Sequence, residues 1–151
     1  MKELSIENKE LLLRDLCARS FYSVMVTVPI MSFIKGQGPY TEPIELVSVN
    51  TVDMTCTVGD RYAQTSGIKM FNRKGELVCK PYLRPMSSMT EWERHDYMCL
   101  QRSTHTRYNY TYYDTLESID WLNAHHFDYR GLIEKGLAIE APEGMYNVKE
   151  K

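Results

Sequence analysis

The sequence predicts an α+β protein built on a small, SH3-like, partly open β-barrel of about five short strands, with a helix before it and helices after it. Three observations predict this class. An apolar stripe of helical period opens the chain, short β-rich segments separated by turn residues follow, and capped helical segments fill the rest. We expect residues 1–85 to hold the first helix and the barrel. Residues 86–151 should form a helical segment packed on them in one compact unit.

The first helix is predicted to begin after Ser5, whose side chain can cap it, and to run to about Arg19. Its two sides differ in character. The apolar side consists of Ile6, Leu12, Leu13 and Leu16. The charged side consists of Lys9, Glu10, Arg14 and Asp15. This division predicts that the leucines face the core and the charges face water.

The strands of the barrel are expected between residues 21 and 79. Residues 21–28 are β-branched and aromatic with alternation, which is typical of a strand. Residues 44–58 predict two strands joined near Asn50, followed by a turn at Gly59, and residues 35–39 form a loop. Residues 68–79 predict a hairpin whose turn needs the positive φ of Gly75.

The junction at residues 80–85 contains two prolines, which predict an extended segment without regular structure. Thr90 and Glu93 then fit a capping box that opens a helix to about Gln101. The apolar residues of this helix are Trp92, Tyr97, Met98 and Leu100. Residues 104–113 alternate tyrosine with polar residues, a strand pattern.

The last part of the chain, from Asp114 onwards, is predicted to hold two helices and a strand. Asp114 caps the first helix, which turns Leu116, Ile119 and Leu122 inward. Asp128 caps a short helix over residues 129–135 that Gly136 ends, and residues 137–139 are apolar enough for a buried strand. A turn at residues 141–144 then lets residues 145–146 pack back.

Composition and charge indicate a soluble, cytoplasmic protein. Of the 151 residues, 43% are apolar and 25% charged, as in globular proteins. Residues 1–85 carry 11 basic and 9 acidic residues, a net +2, and residues 86–151 carry 7 and 11, a net −4. Neither half has the positive field of a duplex-DNA binder. The longest uncharged run is too short, and too interrupted by Pro29, to span a membrane. The cysteines, expected to be reduced, are Cys17, Cys56, Cys79 and Cys99.

Three blocks carry a resemblance to other proteins: residues 15–19, residues 80–91 and residues 120–133. In these blocks the chain resembles a group of small proteins of no established activity from anaerobic gut bacteria and their prophages. After the position of Arg19 that group usually carries Leu-Pro-Tyr-Gly, where this chain has residues 20–23, Ser-Phe-Tyr-Ser. The resemblance implies a mobile-element setting and transfers no functional residue.

His125, His126 and Asp128 are the sharpest candidate for chemistry. Two imidazoles and a carboxylate within four residues could hold a metal ion or act as an acid–base pair, as in a metal-assisted hydrolase. Adjacent helical residues, however, point about 100° apart, whereas metal-binding helices place ligands at i and i+4. We therefore prefer histidines that close a helix at its C-terminus, with Asp128 as a cap.

Two further groups of residues are candidates for binding. Tyr108, Tyr110 and Tyr112 would share one face of a strand beside Arg107, a surface suited to stacking bases or packing a peptide. The alternative is a row of tyrosines that faces the core. A basic patch near the hairpin consists of Lys69, Arg73, Lys74, Lys80 and Arg84. If it is more than a solvated surface, it would meet an anion.

The function predicted from these residues is that of a non-enzymatic interaction protein without a cofactor. It would bind a protein partner or a small anionic ligand, such as a host nucleotide signal, through Arg107, Tyr108, Tyr110, Tyr112, Lys74 and Arg84. One alternative is the hydrolase centred on His125, His126 and Asp128. The other is single-stranded nucleic-acid binding by the tyrosines.

Overall fold

The computed structural model describes residues 4–28, 43–60, 62–102 and 112–146. Two sheets and three helices organise this part of the chain. An antiparallel four-stranded sheet has the order β1-β2-β3-β4, and a two-stranded parallel sheet pairs β5 with β6. In chain order the elements are α1 (Ile6–Arg19), β1 (Met25–Val26), β2 (Ile44–Asn50), β3 (Thr55–Gly59), β4 (Gln64–Lys69), β5 (Tyr82–Leu83), α2 (Glu91–Arg102), α3 (Tyr112–Ala124) and β6 (Ile139–Glu140).

The four-stranded sheet is open, so the predicted SH3-like barrel is not confirmed. β1 is only two residues long, and β4 is exposed at five of its six positions. A strand must present an apolar face before a sheet can roll up around it. β4 carries the polar run Gln-Thr-Ser-Gly instead, so it remains an outer strand. The turns on either side of β3 are where the sequence predicts them, at residues 51–54 and after Gly59.

The core lies where α1 covers the four-stranded sheet. Leu12 and Leu16 of the helix are fully buried against strand residues such as Val26 and Val58. The other buried apolar residues of this cluster are Val24, Val28, Leu46, Cys56, Met70, Cys79, Leu83, Leu132, Leu137 and Ala138. Residues from the end of the chain therefore complete the same core as α1 and the sheet.

Helix α1 has the predicted ends but not the predicted faces. The Ser5 hydroxyl accepts a hydrogen bond from the Asn8 amide at 3.2 Å, and the helix ends at Arg19. Asp15, which was assigned to the solvated side, is completely buried, and so is Arg19. Ile6 is 76% exposed. The buried stripe is Leu12, Asp15, Leu16 and Arg19, spaced i, i+3, i+4 and i+7.

The first strand is much shorter than the predicted residues 21–28. Residues Ser20–Tyr22 form a 3-10 turn, and Ser23 has a left-handed φ of 56° that reverses the chain before β1 begins at Met25. A non-glycine residue rarely adopts this conformation. Phe21 is 89% exposed, so the aromatic residue that favoured a strand here has no partner in the core.

The hairpin at residues 68–79 has the predicted turn. Gly75 has a φ of 78°, and the Asn72 side chain accepts hydrogen bonds from the amides of Lys74 and Glu76, each at 2.9 Å. Phe71 and Leu77 pair across it as an isolated bridge. A side-chain oxygen that replaces a main-chain acceptor is the usual reason for Asn at such a turn.

The junction at residues 80–85 contains regular structure, contrary to the prediction. Between its two prolines Tyr82–Leu83 forms β5, because the missing amides of Pro81 and Pro85 lie outside the two paired residues. The capping box is confirmed: the Glu93 amide donates to Thr90 Oγ1 at 3.2 Å, and the Thr90 amide donates to Glu93 Oε2 at 2.9 Å. Trp92 and Met98, two of the apolar residues of α2, are 53% and 41% exposed.

Helix α3 begins at Tyr112, two residues before the predicted cap Asp114. Residues 112–113 are thus helical where a strand was predicted, and the rest of that strand lies outside the described residues, as does the loop at 35–39. Leu122 is buried as expected, whereas Leu116 is 42% exposed. Among the described residues no helix combines the length and the apolar character needed to cross a bilayer.

The segment after Asp128 consists of turns instead of the predicted short helix. Its first residue still acts as a cap, because the two oxygens of Asp128 accept hydrogen bonds from the amides of Leu132 and Ile133, at 2.8 and 2.9 Å. Gly136 has the expected positive φ of 70°. The predicted buried strand is shifted: residues 137–138 are buried, but the paired residues are Ile139–Glu140, which are exposed.

The four cysteines divide into two exposed and two buried thiols, which predicts two rates of labelling. Cys17 and Cys99 are exposed, whereas Cys56 and Cys79 are buried with their sulfur atoms 3.9 Å apart. The hydrogen bond with Cys56, together with burial, raises the pKa of the Cys79 thiol, so its reactive thiolate is scarce. With Ellman's reagent we expect two thiols to react at once and two on the order of a thousandfold more slowly, through opening of the fold.

The control for this labelling is the Cys17→Ser/Cys99→Ser variant, which should lose the fast phase and keep the slow one. Four thiols reacting at one rate in the native protein would contradict the placement of Cys56 and Cys79.

Candidate functional site

The histidine segment consists of residues 125–128. It follows α3 through a tight C-terminal cap in which the Phe127 amide donates to the Leu122 carbonyl at 3.0 Å and the His126 amide to the Asn123 carbonyl at 3.1 Å. His126 has a left-handed φ of 63°. This is the pattern of a Schellman cap, with His in the position that glycine usually takes. The helix therefore ends here, as the sequence predicts, and the chain turns back towards the sheet.

Beyond the cap, the histidine segment pairs with the residue that follows β5. The Arg84 amide donates to the His126 carbonyl at 2.8 Å, and the Asp128 amide donates to the Arg84 carbonyl at 2.8 Å. Arg84 and Phe127 form a parallel bridge. The segment thus forms a separate bridge with the residue after β5 and connects the end of α3 to the middle of the chain.

Phe127 is the apolar anchor of the segment. Its side chain is completely buried, and its ring lies parallel to that of Trp121 with centroids 5.8 Å apart. The Arg84 guanidinium lies 4.3 Å from the centroid of the same ring. A cation over an aromatic face is favourable, and more so when it is shielded from water.

A buried charge pair ties α1 to the histidine segment. Arg19 Nε donates to Asp15 Oδ2 at 2.8 Å, and Arg19 Nη2 donates to the Phe127 carbonyl at 2.6 Å. Both side chains of the pair are fully buried. Burial raises the pKa of Asp15, although Arg19 opposes that shift. Arg130 Nε lies 3.6 Å from the second oxygen of Asp15, and the Tyr129 ring lies near both guanidinium groups.

A second charge pair holds α2 to the same place. The Arg84 guanidinium donates to both oxygens of Glu93, at 2.6 and 2.8 Å. Burial alone would raise the pKa of Glu93, but Arg84 and the Thr90 amide, which both bond to the carboxylate, lower it below its usual value. The fork of an arginine matches a carboxylate well in this two-bond geometry.

The two imidazoles are both engaged in packing. The His125 ring stacks on Trp121 with centroids 4.0 Å apart, and its Nδ1 lies 2.8 Å from the Trp121 carbonyl. The His126 ring stacks on Tyr146 at 3.7 Å. Burial, assisted by the positive charges of Arg19 and Arg84, lowers the pKa of His126 to about 4. His126 is therefore neutral at physiological pH.

The structure does not gather His125, His126 and Asp128 around one point. The oxygens of Asp128 already accept main-chain hydrogen bonds, and the two rings stack on different aromatic partners. Within the described ranges no group of three His, Cys, Asp or Glu side chains is arranged to hold a metal ion. The four buried polar atoms without a hydrogen-bond partner in this part of the chain are Asp15 Oδ1, Arg19 Nη1, His126 Nδ1 and Arg130 Nε.

The residues predicted to bind a ligand do not form one described surface. Arg107, Tyr108 and Tyr110 lie outside the described residues, and Tyr112 is the first residue of α3. In the basic patch, Lys74 lies at the exposed hairpin turn together with Arg73. Arg84 is separate from that patch, because its side chain is buried and paired with Glu93.

An open groove of about 540 Å³ is present at the C-terminal ends of β5 and β6. Its lining residues are Arg84, Pro85, Ser88, Thr90, Glu140, Ala141, Pro142, Glu143, Gly144 and Tyr146. Glu140 and Glu143 were not predicted as site residues, because in sequence they are ordinary glutamates. The one signal in the sequence is the predicted turn at residues 141–144, which follows Glu140 and contains Glu143.

Tyr146 forms the fixed wall of this groove. Its hydroxyl donates to the Tyr82 carbonyl at 2.8 Å and accepts from the Met25 amide at 3.0 Å. Burial raises the pKa of Tyr146 to about 12. The prediction that residues 145–146 pack back is thus confirmed for Tyr146, and its contacts join the groove to both sheets.

No protein-family model, curated protein or solved structure matches this chain. The side chains of the groove and of the histidine segment are therefore the basis on which a function can be assigned.

Proposed function

We propose that this chain is a non-catalytic interaction protein that binds a partner protein in the groove at the C-terminal ends of β5 and β6. The observation that supports this most strongly is the groove itself, a concave surface whose walls are fixed by hydrogen bonds. Tyr146 is bonded at its hydroxyl to two main-chain groups, and Arg84 is bonded to both oxygens of Glu93. Walls that are ordered before binding lose little conformational entropy when a partner arrives.

The hydroxyl groups of the groove support binding over catalysis. The Ser88 hydroxyl donates to the Pro85 carbonyl at 2.8 Å, and Thr90 Oγ1 accepts from the Glu93 amide. A nucleophilic hydroxyl needs a base within hydrogen-bond reach, whereas these two groups bond to main-chain partners. Among the described lining residues there is no His or Cys. The nearest imidazole, His126, is stacked on Tyr146 and has a pKa of about 4.

The charges of the groove favour a protein partner over a small anion or a nucleic acid. Arg84 is the one cation among the described lining residues, and its charge is balanced by the bidentate pair with Glu93. Glu140 and Glu143 add two carboxylates. A phosphate group would meet net repulsion here, because like charges across a contact are unfavourable. The groove therefore suits a polypeptide better than the nucleotide signal considered from the sequence.

Site-specific photo-crosslinking tests this proposal. With p-benzoylphenylalanine in place of Glu143, at the groove, we expect a discrete covalent adduct with a partner in cells of the organism that encodes the chain. The matched control carries the same group at Val52, which is 88% exposed on the turn between β2 and β3. Val52 is not a lining residue of the groove. This control should give no such adduct. Identical adduct patterns at both positions, or none at Glu143, would overturn the proposal.

A further inference from the structure

We infer that the groove takes a basic, extended segment of its partner, with an arginine or lysine side chain bound between Glu140 and Glu143. This inference rests on the proposed function and names the chemistry of the partner. It is derived from three features of the groove: the balance of its charges, the position of its two free carboxylates, and the apolar surfaces beside them.

Arg84, the cation among the described lining residues of the groove, is not available to a ligand. Its guanidinium donates to both oxygens of Glu93, lies over the Phe127 ring, and is only 11% exposed at its side chain. A bound ligand would have to break a two-bond ion pair to reach this charge. The charge that the groove offers to a partner is consequently that of Glu140 and Glu143.

These two carboxylates are free within the described structure. Neither makes a salt bridge or a side-chain hydrogen bond to another described residue, and both residues are exposed. Glu140 is the last residue of β6, paired with Leu83, and Glu143 lies in a turn closed by the Met145 amide donating to the Pro142 carbonyl at 3.1 Å. Gly144 is the third residue of that turn and has a φ of 82°. Strand and turn thus present two carboxylates three residues apart on the same groove.

The remaining walls suit the stem of a long cationic side chain. Pro85, Ala141 and Pro142 supply aliphatic surface, and Tyr146 supplies an aromatic ring. Lysine and arginine bury their methylene groups against such surfaces while the charged end stays near water or a carboxylate. An aromatic ring near the charge adds a cation–π attraction. Acidic segments would instead place like charges beside Glu140 and Glu143.

Fluorescence anisotropy with labelled peptides tests the inference. The probes are ten-residue peptides on one Gly-Ser-Pro background, carrying either two arginines, two glutamates or no charge. We expect the arginine peptide to bind at least about tenfold more tightly than the glutamate peptide at low salt, and to weaken as salt screens the contact.

Two double variants locate the binding. Glu140→Gln/Glu143→Gln should reduce the affinity for the arginine peptide about tenfold. Glu7→Gln/Glu10→Gln removes the same charge from exposed positions of α1 and should leave the affinity unchanged. Equal binding of the three peptides, or an equal loss in both variants, would overturn the inference. A groove-specific crosslink at Glu143 to a partner segment without basic residues would overturn the inference alone and leave the proposed function standing.

Discussion

Replacing Arg19 with methionine should lower the free energy of unfolding by about 3–5 kcal/mol, the cost of removing one partner from a buried ion pair. The guanidinium makes two buried hydrogen bonds, to Asp15 Oδ2 at 2.8 Å and to the Phe127 carbonyl at 2.6 Å. Without it, Asp15 would be a buried carboxylate whose nearest cation is Arg130, at 3.6 Å. Urea denaturation followed by circular dichroism measures the change.

The matched control for this variant is Arg14→Met, on the same helix. Arg14 is exposed, so the substitution should change the free energy of unfolding by no more than about 0.5 kcal/mol. A second variant, Asp15→Leu/Arg19→Met, removes both charges and should recover part of the lost stability, because an apolar pair of similar size tolerates burial. Equal stability of Arg19→Met and Arg14→Met would show that the Asp15–Arg19 pair contributes nothing to the free energy of unfolding.

Acidification should destabilise the protein by about 3 kcal/mol through His126 alone, at about 1.4 kcal/mol per pKa unit. The pKa of this imidazole is about 4 in the fold, against 6.5 for an unperturbed histidine. The unfolded chain therefore binds the proton more readily than the folded one. The stability that a neutral His126 contributes is complete above about pH 6.5 and is lost as the pH falls from there towards 4.

The His126→Asn variant isolates this effect. Asparagine tolerates the left-handed φ of 63° at this position and does not titrate. Asp15 acts in the opposite direction, because its raised pKa makes the folded state take up a proton first, but that contribution is present in both proteins. The difference in unfolding free energy between wild type and variant should thus shrink as the pH is lowered. A difference that is constant from pH 7 to pH 4.5 would contradict the burial of a neutral His126.

Features set by local hydrogen bonds could be predicted from the sequence. The cap at Ser5, the capping box of Thr90 and Glu93, and the positive φ of Gly75 each depend on residues within about four positions of one another. At Ser5 and in the capping box the side chain that supplies the bond is identifiable by residue type, and at the hairpin turn Gly75 is identifiable because glycine readily adopts a positive φ. The preference for histidines that close a helix belongs to the same class, since the cap at His126 is formed by the preceding turn of α3.

The faces of the helices could not be predicted by counting apolar residues. Asp15 and Arg19 look like a solvated i, i+4 pair, yet the tertiary contact of Arg19 with Phe127 buries them. Their spacing from Leu12 does indicate that they face inward, because the four residues of the buried stripe occur at i, i+3, i+4 and i+7. On α2, Glu93 is buried and Trp92 is exposed, because the Glu93 carboxylate pairs with the buried Arg84.

The remaining differences between the predicted and the observed structure arise from pairing between residues that are far apart in the chain. β5 and β6 are two residues each and are separated by more than fifty positions, so neither has a periodicity that a local pattern could reveal. The groove exists only because these two strands pair. Glu140 and Glu143 consequently had no distinguishing feature until the pairing placed them opposite residues 84–90.

The histidine segment joins α1, β5 and α3 as an architectural unit. Hydrogen exchange at the amides of Arg84 and Asp128, in the wild type and in the Arg19→Lys variant, tests it most directly. Both amides form hydrogen bonds of 2.8 Å across the segment, and neither is hydrogen-bonded to Arg19. We expect them to lose protection in the variant at least as strongly as the amides of β2 and β3. Wild-type protection at both amides, with faster exchange confined to α1, would contradict the claim.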